Sequence, residues 1–218
     1  MPRIVKILIG AVVVAALTYL LGWSPVFTVK RVEINGISNS VQILTVEKKI
    51  GNLNGTRLAR IEPRQISNII SNINWVKSAE VSRNWFSSSV TISIEPRVPI
   101  GVIGGRYIDS SGVVFDPIGT PLDVPEVDAP NTEIGLLAIE LFTSLPEDFR
   151  QDITLLSATS AGDFTMTMKG PFKELALRFG SREESELKIK VFKALVAREE
   201  NKNISTIDVS APHAPIVK

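Results

Sequence analysis

The stretch Trp75-Val76-Lys77-Ser78-Ala79-Glu80-Val81-Ser82-Arg83-Asn84-Trp85, followed after Phe86-Ser87-Ser88-Ser89 by Val90-Thr91-Ile92-Ser93-Ile94-Glu95-Pro96, decides the fold. In its second half Val90, Ile92 and Ile94 alternate with Thr91, Ser93 and Glu95, the period of a strand with one buried face, and Pro96 ends it. The first half places Val76, Ala79 and Val81 in an extended segment among Lys77, Glu80 and Arg83, and Ser87 to Ser89 make the turn between the two. Upstream, Phe27, Val29, Val32 and Ile34 alternate in the same way and run into the turn pair Asn35-Gly36, which predicts a first strand over 27–35. Two helices fill the interval. One covers 38–50, with Ser38 or Ser40 as cap, Val41, Leu44, Val46 and Ile50 facing inward and Gly51 as stop. The other starts at Pro63 and carries Ile66, Ile69, Ile70 and Ile73 at spacings of three and four. Strand, helix, helix, strand, strand in so short a span is an α+β unit, two helices on one face of a three-stranded sheet.

Ahead of this unit the chain is apolar. From Ile7 to Phe27 there is no charged residue, and at about 1.5 Å per residue that length matches the roughly 30 Å hydrocarbon core of a bilayer. Tyr19 and Trp23 stand near its far end, where amphipathic rings favour the interface. A cleaved signal peptide competes, because Arg3 and Lys6 resemble a charged leader end, but Gly22 to Phe27 offer no small-x-small cleavage site. The expectation is an uncleaved anchor, residues 1–6 as a cytoplasmic tail, 7–26 in the membrane and the remainder extracytoplasmic.

Composition removes several classes of function. A net charge of +1 supplies no clustered cationic surplus for a polyphosphate. With zero cysteines the chain has no disulfide, thiolate nucleophile or cysteine-bound zinc. Gly101, Gly104 and Gly105 do not form a dinucleotide-binding glycine pattern and are read as a turn. Asp109 and Asp116 could form a carboxylate pair for acid-base work, yet both lie in turn-forming sequence and are read as turn aspartates. His213, the single histidine, stands between Pro212 and Ala214 with no orienting carboxylate nearby in sequence. No catalytic, cofactor or metal residue is assigned.

The second half reads as a β-rich domain with flanking helices. Asp109-Ser110-Ser111-Gly112 is a hairpin turn between Ile108 and Val113, and Pro117, Pro121, Pro125 and Pro130 mark a connector. A helix is predicted over 133–145 from Ile134, Leu137, Ala138, Leu141 and Phe142, stopped by Pro146. Strands are predicted over 153–159, 164–169 and 174–179, separated by Ala161-Gly162-Asp163 and Gly170-Pro171. The helix over 183–199 is expected to turn Leu187, Val191, Leu195 and Val196 inward and to keep Glu183, Glu184, Lys188, Lys190, Lys193 and Arg198 in water. Thr206 to Ser210 closes as a short strand. At a sheet edge its N–H and C=O groups could accept a further strand, the Val209 amide serving as a ladder donor that proline would remove, with Pro212 and Pro215 limiting its length.

The strand-helix-helix-strand-strand order resembles a POTRA domain. Behind a single anchor, the Trp75 to Trp85 segment together with Val90 to Pro99 resembles the FtsQ/DivIB family of bacterial division proteins. Glu95-Pro96-Arg97-Val98-Pro99-Ile100-Gly101 is similar to that family's junction motif, and Tyr107-Ile108-Asp109-Ser110-Ser111-Gly112-Val113-Val114-Phe115 to its Asp-x-x-Gly-x-x-Phe segment. The chain departs from the family's Trp-Pro at Trp85-Phe86. The resemblance implies a POTRA domain over 27–95 and a β-domain over 96–218 that captures FtsB (DivIC), itself paired with FtsL. It also implies a non-enzymatic membrane scaffold linking septal wall synthesis to the division ring. Only the C-terminal region carries over as the contact surface, and the candidates within it are Ile207, Asp208, Val209, Ser210 and Ala211. The rival readings are a secreted hydrolase using Asp109 and Asp116, and another POTRA-type envelope assembly protein, for which the C-terminal half is too short to form a membrane barrel.

Overall fold

A computed structural model describes residues 3–23, 27–116, 118–119, 122–169 and 174–218, the side chains of 21–23 excepted. The Trp23 side chain, Ser24 to Val26, Pro117, Pro121 and the Gly170-Pro171 turn therefore lie outside the described residues. The chain forms two compact units, Met1–Arg97 with Ile118–Thr120, and Val98–Pro117 with Pro121–Lys218.

The first unit opens with α1 (Arg3–Trp23), long and apolar enough to cross a membrane. It begins earlier than the uncharged run, taking Arg3 and Lys6 into its first turns. The strand expected over 27–35 is shorter, β1 (Arg31–Asn35), because Thr28 makes only an isolated bridge with Arg57. Two helices follow, α2 (Ser40–Ile50) and α3 (Pro63–Ser71), and then β2 (Val76–Asn84) and β3 (Ser89–Pro96). The sheet order is β1-β3-β2, with β1 parallel and β2 antiparallel to the central strand. Val90, Ile92 and Ile94 of β3 are buried, and α3 brings Ile66 and Ile70, with Ile73 just beyond it, into the same core. The Ser67 hydroxyl also donates to the Ala79 carbonyl at 2.6 Å, tying α3 to β2.

Two details of α2 differ from expectation. Its cap is Asn39, whose side chain accepts the Val41 amide, rather than either serine. Its inward face carries Val46, with Ile43 and Ile50 half-buried, so that Val41 and Leu44 are exposed. The helical period places 43, 46 and 50 in one stripe and leaves 41 and 44 to its side.

The second unit contains a nine-stranded sheet of β4 (Pro99–Ile103), β5 (Arg106–Asp109), β6 (Val114–Phe115), β7 (Glu126–Asp128), β8 (Ile153–Ser160), β9 (Asp163–Met168), β10 (Leu175–Gly180), β11 (Thr206–Asp208) and β12 (Ile216–Val217). Its order is β12-β11-β10-β9-β8-β7-β4-β5-β6. Helices α4 (Thr132–Ser144), α5 (Glu147–Arg150) and α6 (Ser185–Val196) complete it. The core joins Ala138, Ile139 and Leu141 of α4 to Phe164, Met166 and Leu177 of the sheet and to Ile189 and Phe192 of α6. Strands β4 and β7 fall where the sequence reads as junction and connector. Both are short, and β7 exists through parallel pairing with β4 on one side and β8 on the other.

Helix α6 is rotated from its expected phase. Its buried residues are Lys188, Ile189 and Phe192, while Leu187, Val191, Leu195 and Val196 are half-buried flanks. Lys188, expected in water, is 2% exposed.

Gly36 ends β1 with φ of +90°, and a Cβ there would lie 1.9 Å from the Ile94 carbonyl oxygen. Gly55 has φ of +78° with open space around it. Gly55→Ala is expected to cost about 1 kcal/mol, the conformational term alone. Gly36→Ala is expected to cost well beyond that, since the central strand's backbone must move as well. Urea unfolding of the two variants checks the difference.

Candidate partner-binding edge

The C-terminal candidates sit where β10, α6 and the last two strands meet. Strand β11 pairs in parallel with β10, Ala176 opposite Thr206, Leu177 opposite Ile207 and Arg178 opposite Asp208. The side chains of Ile207 and Val209 are fully buried in the second unit's core, so they hold the strand in place and reach no partner. The Val209 amide donates to the Arg178 carbonyl at 2.9 Å. It therefore faces inward across the sheet, and proline there would break the β10–β11 pairing rather than an outer ladder. Of the five candidates, Asp208 is half-buried, and Ser210 and Ala211 are exposed.

Strand β11 is not the edge of the sheet. Strand β12 folds back antiparallel on it, with Ile207 opposite Val217 and Asp208 opposite Ile216. Thr206 and Lys218 exchange both backbone hydrogen bonds, at 3.1 and 3.0 Å. Because an antiparallel ladder alternates, a residue next to such a pair turns its amide and carbonyl the other way. Val217 consequently presents its N–H and C=O outward, beside Pro215, which has no N–H to offer. Ile216 is 54% and Val217 37% exposed. The open edge at this end of the sheet is thus β12. Its signal in the sequence, a β-branched Ile216-Val217 pair after Pro215, is too short to distinguish from a tail.

The fold-back depends on a compact turn. Asp208 Oδ1 accepts from the Ser210 amide at 2.9 Å and from its hydroxyl at 2.6 Å, and Ala214 N–H closes a further turn on the Ala211 carbonyl. Burial alone would raise the Asp208 pKa. The two Ser210 hydrogen bonds, with Arg178 and Lys218 nearby, outweigh it and hold the carboxyl below its ordinary value. Arg178 reaches Asp208 at 3.8 Å and Asp163 at 3.5 Å, linking β9, β10 and β11 on one face.

Across from this turn, Gly180 has φ of +70°, and a Cβ there would come within 2.7 Å of the Ser210 Cβ. The loop that begins at Gly180 is secured by Lys188, whose Nζ donates to the Ser181 carbonyl at 2.8 Å and stands 5.2 Å from the centre of the Phe179 ring. Burial lowers the Lys188 pKa, partly countered by Glu183 and Glu184. His213 Nε2 lies 3.5 Å from Glu184 Oε1 in the same neighbourhood.

The carboxylates weighed for chemistry have structural employment. Asp109 is buried, and its Oδ1 accepts from the Ser111 amide, the Ser111 hydroxyl and the Val113 amide, which builds the β5–β6 hairpin. Asp116 accepts from Arg106 Nε at 3.0 Å. Among the described residues no group of three or more metal-ligating side chains comes together.

Two family models match the chain. The POTRA domain of FtsQ type covers residues 27–97, and the C-terminal domain of cell division protein FtsQ/DivIB covers residues 99–210. The chain belongs to the FtsQ/DivIB family of cell division proteins. Among similar proteins, the cell division protein FtsQ of Mycolicibacterium smegmatis is 27% identical over 99% of this chain and 66% of its own length. That of Mycobacteroides abscessus is 26% identical over 100% of the chain and 70% of its own length. That of Corynebacterium glutamicum is 26% identical over 94% and 96% respectively. The chain thus spans about two thirds of the length of the two mycobacterial FtsQ relatives. Family membership supports a role in the divisome, and with the apolar helix α1 it describes a membrane-anchored division protein.

Two pH effects follow from this geometry. The carboxyl of Asp208 is more acidic folded than unfolded, so its contribution to stability is present above its unfolded pKa and is lost as pH falls through the lower folded value. Asp208→Asn is expected to narrow its stability gap from the parent as pH drops below about 4, the ordinary aspartate range. The sign for Lys188 is opposite. The unfolded state holds more protons between the lowered folded pKa and the ordinary lysine value, so stability rises with pH across that interval. Lys188→Met is expected to abolish that rise, which urea midpoints measured from neutral pH up to about 10.5 will show.

Proposed function

We propose that this chain is a non-enzymatic, single-pass scaffold of the bacterial divisome. The end of α1 that carries Arg3 and Lys6 is cytoplasmic, α1 is the anchor, and the POTRA domain and β-domain are extracytoplasmic at the division septum. It captures FtsB (DivIC), paired with FtsL, by strand addition at the end of the β-domain sheet, and so links septal wall synthesis to the ring inside the cell. The observation that carries this reading is the open edge of β12, held on β11 by the Asp208–Ser210 turn and offering the outward backbone of Val217 between exposed Ile216 and Val217 side chains. Main-chain hydrogen bonds at such an edge supply affinity, and exposed β-branched side chains supply register. Asp208, Ser210 and Ala211 act through the turn that folds β12 back, while Ile207 and Val209 act from beneath as packing.

Proline at position 217 tests this. The outward amide is lost while the ladder to β11 is kept, so Val217→Pro is expected to unfold at the parent's urea concentration. It is also expected to weaken capture of the FtsB-like extracytoplasmic segment by about tenfold, the scale of one or two net hydrogen bonds. Capture at the parent's affinity by a normally folded Val217→Pro chain rules out strand addition at this edge.

A further inference from the structure

The hairpin between β2 and β3 carries an aromatic side chain that the first unit's core does not use. Phe86 is completely exposed, and the backbone beneath it is built to hold it there. The Asn84 Oδ1 accepts both the Phe86 amide at 3.0 Å and the Ser87 amide at 3.1 Å. Ser88 takes a left-handed conformation with φ of +53°, and the Ser87 and Ser89 hydroxyls meet at 2.8 Å. An exposed phenylalanine on a locally bonded turn is not a side chain awaiting a loop to fold over it.

Its neighbours tie the tip to the membrane anchor. The Trp85 ring meets the Phe27 ring edge-on at 5.8 Å, and the Lys30 amide donates to the Ser88 carbonyl at 2.8 Å. Phe27 follows Trp23, the last residue of α1, by four peptide steps, which at 3.8 Å per step limits their Cα separation to about 15 Å. The contacts with Phe27 and Lys30 then hold the base of the tip beside the chain that follows the apolar helix. The surrounding chain is also basic. Stretches 27–31, 56–60 and 83–88 carry Lys30, Arg31, Arg57, Arg60 and Arg83 and no acidic residue. Arg83 stacks over the Trp85 ring at 5.7 Å while donating to the Leu58 and Ile61 carbonyls, which fixes the indole.

The geometry points to the Trp85-Phe86 hairpin tip as a membrane foot, seated in the lipid headgroup region beside the point where α1 leaves the bilayer. Aromatic rings partition to that region, and cations beside them favour anionic headgroups. The foot gives the first unit a second attachment to the bilayer besides the anchor. The inference rests on α1 being a membrane span.

The test uses the full chain in nanodiscs of phosphatidylcholine and phosphatidylglycerol, and the absence of native cysteine makes single labelling direct. A nitroxide is attached at Ser87→Cys, keeping Phe86. In a separate chain it is attached at Ser78→Cys, an exposed position seven residues from Trp85 along β2 and thus about 23 Å away at roughly 3.3 Å per residue. Oxygen, which concentrates in lipid, and a water-soluble nickel chelate compete as relaxants. The Ser87 label is expected to favour oxygen and the Ser78 label nickel. Adding Phe86→Ser to the Ser87 variant, at a site with no packing to lose, is expected to bring its oxygen-to-nickel ratio down to that of Ser78. A Ser87 label as open to nickel as the Ser78 label overturns the proposal. Protection of the Ser87 label that persists when the bilayer is exchanged for amphipol overturns it too, assigning the tip to protein contact instead. Loss of the chain from the discs altogether overturns the span, and with it the foot, and is told apart from the label results by the retained fraction.

Discussion

Parallel strand pairing imposes the architecture of both units. Two parallel neighbours cannot be joined by a tight turn, so the chain must leave the sheet and return, and the excursion is stable only if it buries an apolar face on the strands it bridges. In the first unit β1 and β3 are joined through α2, α3 and β2, and the core forms where Ile66, Ile70 and Val46 meet Val90, Ile92 and Ile94. In the second, β7 and β8 are joined through α4 and α5, and β10 and β11 through α6. The last of these excursions brings β11 beside β10 and creates a sheet end far in sequence from the strand it extends.

That sheet end has a cost that the structure meets locally. Lys188 lies on the buried face of α6, and a desolvated ammonium is tolerable only with partners. It has the Ser181 carbonyl and the Phe179 ring, and its hydrogen bond closes the loop that follows β10. Gly180 in turn admits Ser210 at a distance no side chain would allow. The Asp208 turn and the fold-back of β12 are therefore supported from α6 as well as from β10, and a surface that looks like a tail in sequence is braced by the core. The Arg178 pairs and the His213–Glu184 contact at this corner are exposed to water, and the energetic worth of such pairs is small. The hydrogen bonds of Asp208 and Lys188 carry more of the geometry.

Legibility in the sequence followed the range of the forces concerned. The amphipathic stripe of α3, the alternation of β3, the Asp109 turn and the Gly51 stop are set by neighbours within a few residues, and each appears where its pattern placed it. Where a long-range partner decides, the pattern was silent or misleading. Strands β4 and β7 have too few residues for a period and are strands because β5 and β8 pair with them. The phase of α6 was misjudged because a lysine was counted as water-facing on chemistry alone, whereas Ser181 and Phe179 supply it with a buried site. Ile207 lies in a strand as expected, but β11 stops at Asp208, one residue before Val209, and is not the last strand, so which backbone forms the edge depends on β12.

By itself the sequence determined the class of this protein. An uncharged apolar segment long enough to span a bilayer, and two helices and three strands in fixed order, are local properties of composition and periodicity, while the resemblance of the Trp75 to Trp85, Glu95 to Gly101 and Tyr107 to Phe115 motifs pointed to the FtsQ/DivIB family. Only the tertiary structure decided which backbone groups remain open. Hydrogen-bond capacity at a sheet edge is whatever the neighbouring strands have not consumed, and that remainder, the outward side of β12, exists only once β10, β11 and β12 have been brought together.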